Sequence, residues 1–376
     1  MVNESGSELP HSISGKLPHS KDERNIMRNT ITILALLLTA LALAAATPST
    51  PAPNATPAGA HYHVVRHIPI GGEGGWDYLT ADSATHRLFI SHATHVVVLD
   101  TESGKVVGDI PKTDGVHGIA LAPELGKGFI SNGRSSTMTI FDLKTLATTG
   151  EVKTVSERPD AILYDPFSKR VFTFNAGGKN ATAFDAATSA VAGTVDLGGK
   201  PEFATTDGAG RVFVNIEDKG EIAVIDAKKL TVTARWPLAP CTDPSGMAID
   251  VAGHRLFSGC GNQLMAIVDA GSGKVVQTVP IGKGVDANVY DAKLALAFSS
   301  NGDGTLTVVK RSKDAYEVVE NAPTARGART MALDDKTHHI FFAIAQFGPP
   351  PPATPERPNP RPTMVPGTFE ILEVAP

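Results

Sequence analysis

The chain has 376 residues, 41% hydrophobic and 6% aromatic, which is ample for a large core and excludes a disordered composition. Lys and Arg total 34 against 39 Asp and Glu, a formal net charge of −5. That balance offers no basic footprint for nucleic acid or for an anionic membrane surface.

Residues 1–26 are polar and mixed in charge. Met27-Arg28-Asn29 then leads into an apolar run from Ile31 to Ala46 that ends in Ala44-Ala45-Ala46. A basic start, a short apolar stretch and a small-residue end read as a secretory signal peptide cleaved near Ala46. The run is shorter than the roughly 20 residues a spanning helix needs. Residues 1–46 are therefore expected to be leader and signal. The mature chain is expected to lack a membrane span and to be periplasmic or secreted. Residues 47–60, rich in Pro, Ala and Thr, read as a tether.

A repeat fills residues 61–376. Strand-ending acids stand at Asp100, Asp142, Asp185, Asp226 and Asp269, with Lys310 and Glu373 in the same place further on. A period of about 42 residues with four short strands per unit marks a β-propeller. Alternation in Thr137-Met138-Thr139-Ile140-Phe141 and Glu221-Ile222-Ala223-Val224-Ile225 supports strands over helices. Seven units follow, with inner strands starting near Trp76, Val116, Pro159, Pro201, Pro244, Val285 and Ala328. The last unit lacks an outer strand. Tyr62 to Ile70 has no partner of its own, so it is expected to supply that strand and close the ring. The fold class is all-β, a seven-bladed propeller of four-stranded blades.

Alignment of the units places one polar residue per blade at the inner-strand start. These are Asp77, His117, Asp160, Glu202, Ser245, Asp286 and Arg329. They share one mouth of the channel and are the candidate ligand set. Asp77, Asp160, Glu202 and Asp286 are the candidate metal ligands, since carboxylates with Asn oxygens suit a hard divalent cation such as Ca²⁺. His92, His95 and His117 joining the acids around Zn²⁺ is the alternative. Trp76, beside Asp77, either stacks on a planar ligand or packs. A second column reads His92, Asn132, Asn175, Ile216 with Glu217 beside it, Cys260, Asn301 and Ile344. Its Asn residues are expected to make turns through their own backbone.

Phe89, Phe129, Phe172, Phe213, Phe257, Phe298 and Phe341 share one repeat position and are expected between blades. Cys241 and Cys260 fall at the same mouth within the fifth blade. As the chain's two cysteines, they are expected to form a disulfide. The Pro-rich insertion over residues 348–367 falls in a loop at that mouth and reads as a stiff lid, a partner surface or a passive loop.

The stretches Phe129-Ile130-Ser131-Asn132, Phe172-Thr173-Phe174-Asn175 and Phe298-Ser299-Ser300-Asn301 resemble the Tyr-Val-Thr-Asn core of the YVTN, or YncE-like, propeller repeat. The resemblance covers about residues 61–376. It implies an exported seven-bladed propeller, often without assigned activity. Some such propellers bind DNA, but the acidic mouth of this chain weighs against that, since phosphate contacts need Lys or Arg. Two Trp residues are too few for the docking motifs of quinone-cofactor dehydrogenases. Two readings stay open: a binding or scaffold protein for a small molecule or a protein, and a metal-assisted hydrolase or lactonase. Both act at the acidic mouth.

Overall fold

The computed structural model describes residues 61–313, 315–354, 358, 360 and 362–376. The signal segment and tether expected over residues 1–60 lie outside the described residues. The described chain forms seven four-stranded antiparallel sheets. Two single-turn 3-10 helices, Pro123–Leu125 and Glu217–Lys219, interrupt the strands. No described helix is long and apolar enough to cross a membrane.

Blade one runs from the inner strand Leu79–Asp82 to the outer strand Lys105–Pro111. The inner strands of blades two to seven are Val116–Ala122, Pro159–Asp165, Pro201–Thr206, Pro244–Asp250, Val285–Asp291 and Met331–Leu333. Blade seven takes its outer strand from the other end of the chain. His63–Pro69 pairs antiparallel with Glu370–Ala375, from His63 opposite Ala375 to Pro69 opposite Glu370. The expected ring closure is therefore present.

The strand-ending acids are turn makers. Oδ1 of Asp142 accepts from the Thr145 N–H at 2.7 Å and from the Thr145 hydroxyl at 2.8 Å. Asp100 with Ser103, Asp185 with Thr188 and Asp269 with Ser272 repeat the pattern. These local donors hold the carboxylates of Asp100, Asp142, Asp185 and Asp269 below the usual range. Lys310 cannot accept such bonds, and the hairpin there runs on, through Thr305–Ser312 and Ala315–Pro323.

A second repeated contact joins blade to blade. The first residue of a second strand reaches the turn of the following blade. Arg87 donates to the Leu143 carbonyl at 2.6 Å, Arg170 to Ala227 at 2.6 Å and Arg211 to Ala270 at 2.5 Å, while Lys127 donates to Ala187. At the closure Arg66 does the same from the outer strand of blade seven. It donates to the Thr101 carbonyl of blade one and pairs with Glu373 at 2.6 Å. Between blades, Phe89, Phe129, Phe172, Phe213, Phe257, Phe298 and Phe341 are all buried, as the repeat implied.

The Asn column corrects the sequence reading. Asn132, Asn175 and Asn301 end strands, are fully buried, and none has left-handed backbone. Their amides reach across the hairpin instead. Asn132 Nδ2 donates to Thr137 and Thr139, Asn175 to Asn180 and Thr182, and Asn301 to Thr305 and Thr307. Alternation alone placed these residues at a strand end, but it did not show that the facing strand offers paired hydroxyls.

Two outcomes are expected. Asn301→Ala removes two cross-hairpin hydrogen bonds, one of them to the buried Thr307 hydroxyl, and should cost about 1–3 kcal/mol in denaturant unfolding. A chain beginning at Gly71 lacks the closing strand, leaves an unpaired sheet edge and should aggregate or melt at least roughly 10 °C lower in calorimetry.

Candidate functional site

The ring positions occupy equivalent places. His117, Asp160, Glu202, Ser245 and Asp286 are each the second residue of an inner strand, and Asp77 and Arg329 stand two residues before theirs. Side chains of the second strands pin this backbone. Ser91 Oγ accepts from the Asp77 and Tyr78 N–H groups at 2.9 and 2.8 Å. Ser131 accepts from Gly118 N–H and donates to the Asp160 carbonyl of the next blade. Asn215 donates to the Ser245 carbonyl at 2.7 Å, and Ser300 to that of Arg329. Neighbouring inner strands come so close that a Cβ at Gly246 would lie 2.6 Å from the Asn288 nitrogen. These residues set how far apart the ring side chains sit.

The ring resolves into three groups. In the first, His117 Nδ1 lies 2.5 Å from Asp77 Oδ2 and 3.6 Å from Asp160 Oδ1. In the second, Lys200 Nζ lies 2.5 Å from Glu202 and also pairs with Glu217. In the third, Arg329 lies 3.5 Å from Asp286, whose backbone carbonyl accepts from the Ser245 hydroxyl at 3.3 Å. Four ring carboxylates thus have three contacting cationic partners, with Arg158 acting on Asp160 from further away, and neither the Asp160 nor the Asp286 carboxylate accepts a hydrogen bond among the described residues. Asp77, His117 and Asp160 have ligand atoms all within 4.8 Å of one another, close enough to share a cation.

Burial raises Asp160 to about 6, opposed by His117 and reinforced by Asp77. It raises Glu202 to about 7 against the pull of Lys200, and Asp286 to about 7 against that of Arg329. Burial lowers His117, but the Asp77 hydrogen bond and the charges of Asp160 and Asp77 outweigh it, and the net shift is upward.

Two site residues escaped the sequence reading. Tyr78 and Phe203 follow Asp77 and Glu202 directly, and their rings stack with centroids 4.7 Å apart. They belong to blades one and four, which are not neighbours, so their contact bridges the channel. Burial, then the charges of Asp160, Asp77, Glu202 and Asp286, push the Tyr78 hydroxyl well up. The corresponding positions elsewhere are Gly118, Ala161, Gly246, Ala287 and Thr330. Two aromatics in a column of small residues were the available signal. Beyond the stack, the far end of the channel opens into a cavity of about 800 Å³ lined by Phe203, Ile162, Met247 and Met331. Lys200 was also missed, because it stands just before its strand.

The remaining candidates lie at the rim. Trp76 packs against Phe369 and Phe347, with centroids 5.1 and 6.0 Å away. The base of the insertion is held by the Phe347–Met364 bridge and by Gly348 N–H to the Thr363 carbonyl at 2.9 Å. Cys241 and Cys260 form the expected disulfide, with Cα atoms 5.8 Å apart. His92 and His95 stack edge to face in blade one, whereas His117 stands with Asp77 and Asp160.

No family model matches the chain, and no curated protein matches it in sequence. A chain of the crystal structure of the mitotic checkpoint complex is similar in fold. The TM-score is 0.67 over 88% of this chain and 94% of that one, at 12% identity. Such a likeness shows the propeller fold alone. With 1826 solved chains matching, the fold does not choose a function.

Asp286 gives a signed pH dependence. Its folded value of about 7 lies above the unfolded carboxylate value near 4. Between those values the folded state holds a proton that the unfolded chain has released, so stability falls as pH rises through that window. In Asp286→Asn, the drop in Tm between pH 5 and 8 should shrink by roughly 2–4 °C in scanning calorimetry.

Proposed function

We propose that this protein is a binding propeller whose ligand carries positive charge and docks at the acidic mouth. The observation that carries this is the convergence of four carboxylates on three contacting cationic side chains, with the Asp160 and Asp286 carboxylates accepting no hydrogen bond among the described residues. A cation relieves the repulsion that otherwise holds Asp160, Glu202 and Asp286 partly protonated. The Tyr78–Phe203 stack gives the mouth a floor, so a ligand meets a cup.

The finer reading is an exported protein of the YncE-like type. The Phe-centred repeat cores and the apolar run before Ala46 support it, as does the Cys241–Cys260 bond, which suits an oxidising compartment. The domain reading goes with it: signal over residues 1–46, tether over 47–60, propeller over 61–376. A metal-assisted hydrolase or lactonase is the second reading, favoured by the contact of His117 with Asp77 and Asp160, a base beside two acids.

Calorimetric titration and thermal shift at pH 8, with divalent ions, diamines and guanidinium compounds set against carboxylates and sugars, test the main reading. Cations should bind and raise Tm, and Asp160→Asn should weaken them at least tenfold. Binding of anionic or neutral compounds alone would sink it. Turnover of a lactone that is lost in His117→Gln would promote the second reading.

A further inference from the structure

The mouth is not uniform, and its asymmetry selects among cations. This inference rests on the reading of the mouth as a cation site and names the cation. We propose that Asp77, His117 and Asp160 bind one divalent transition-metal ion, Zn²⁺ or Mn²⁺, with coordination positions left open toward the mouth.

The three residues come from blades one, two and three, which are consecutive in the chain, so three neighbouring inner-strand starts bring them together. The imidazole nitrogen that faces the acids is Nδ1, at 2.5 Å from one carboxylate oxygen and 3.6 Å from the other. An ion about 2.0–2.2 Å from each ligand needs ligand–ligand separations of roughly 3.0–3.5 Å. The first contact must open and the second close, and the two carboxylates, whose ligand atoms lie within 4.8 Å of each other, must meet the same range. The carriers are already fixed: Ser91 holds the Asp77 backbone, and Ser131 holds both Gly118, beside His117, and the Asp160 carbonyl.

Charge placement points to the same three residues. Glu202 has Lys200, and Asp286 has Arg329. Asp77 and Asp160 have His117 as their one contacting partner, while Lys200 and Arg158 act on Asp160 from further away. Independently, the Tyr78–Phe203 stack spans the channel next to these residues, since Tyr78 directly follows Asp77. One imidazole and two carboxylates form a borderline donor set that suits Zn²⁺ or Mn²⁺. Ca²⁺ takes six to eight oxygens and gains little from an imidazole. The four-acid hard-cation site of the sequence reading thus gives way, in this proposal, to a three-residue mixed site that includes His117.

The test uses the purified full chain, stripped with chelator and titrated with Co²⁺, Zn²⁺, Mn²⁺ and Ca²⁺. One equivalent of Zn²⁺ or Mn²⁺ should bind at least tenfold more tightly than Ca²⁺. Co²⁺ should give visible ligand-field bands, and spin-echo spectra of bound Mn²⁺ should show coupling to a single nitrogen. His117→Gln should abolish the nitrogen coupling and lower affinity at least tenfold, with folding checked by circular dichroism. The spectra of the parent answer the question even if that variant fails to fold. Tighter binding of Ca²⁺, absence of nitrogen coupling, or unchanged affinity in a folded His117→Gln would overturn the metal assignment. Binding of diamines to the parent in the same buffer would then leave the cationic-mouth reading standing. Loss of both would end both readings.

Discussion

The pairing of His63–Pro69 with Glu370–Ala375 is the constraint on which the rest depends. Six blades are continuous in sequence and would hold together as an open arc. Only the seventh, built from both ends of the described chain, turns that arc into a ring with one axis. Once the axis exists, seven equivalent strand starts must converge on it, whatever residues they carry. Arg66 ties the closure into the contact system of the other blades, because its donation to Thr101 copies what Arg87, Arg170 and Arg211 do elsewhere. The seam is thus chemically the same kind of joint as the continuous interfaces.

Convergence sets the electrostatics. The same residue type meets opposite fates at two places in the repeat. At the turns, Asp100, Asp142, Asp185 and Asp269 are half-buried beside local donors, which hold their ionisation below the usual range. At the mouth, Asp160 and Asp286 lose water and face other carboxylates, and their ionisation moves toward neutrality. The turn acids serve the fold, and their bonds are complete. The mouth acids are left with charge that the fold does not use, the usual mark of a site rather than a joint.

Much of this was legible in the chain. Period, blade number, closure, the Phe positions, the cysteine pair and the seven ring residues all follow from register along the sequence. What register does not give is reach across it. The Asn132 amide goes to Thr137 and Thr139, which is a matter of the facing strand, not of the residue's own turn propensity. Lys200 takes two carboxylates because Glu217 ends up beside the mouth. Tyr78 and Phe203 are 125 positions apart, and nothing local to either announces the other. Contacts between distant blades need the closed ring before they have meaning.

That aromatic contact changes what the channel is. A pipe would let solvent or a strand pass from face to face, and occupancy at one end would be sensed by flow at the other. With Tyr78 and Phe203 in contact across the bore, the charged mouth lies on one side of the stack and a cavity of mixed lining on the other. Whatever enters the charged side passes a rim where Trp76 packs against Phe347 at the base of the Pro-rich insertion, while the aromatic pair stands between it and the opposite face.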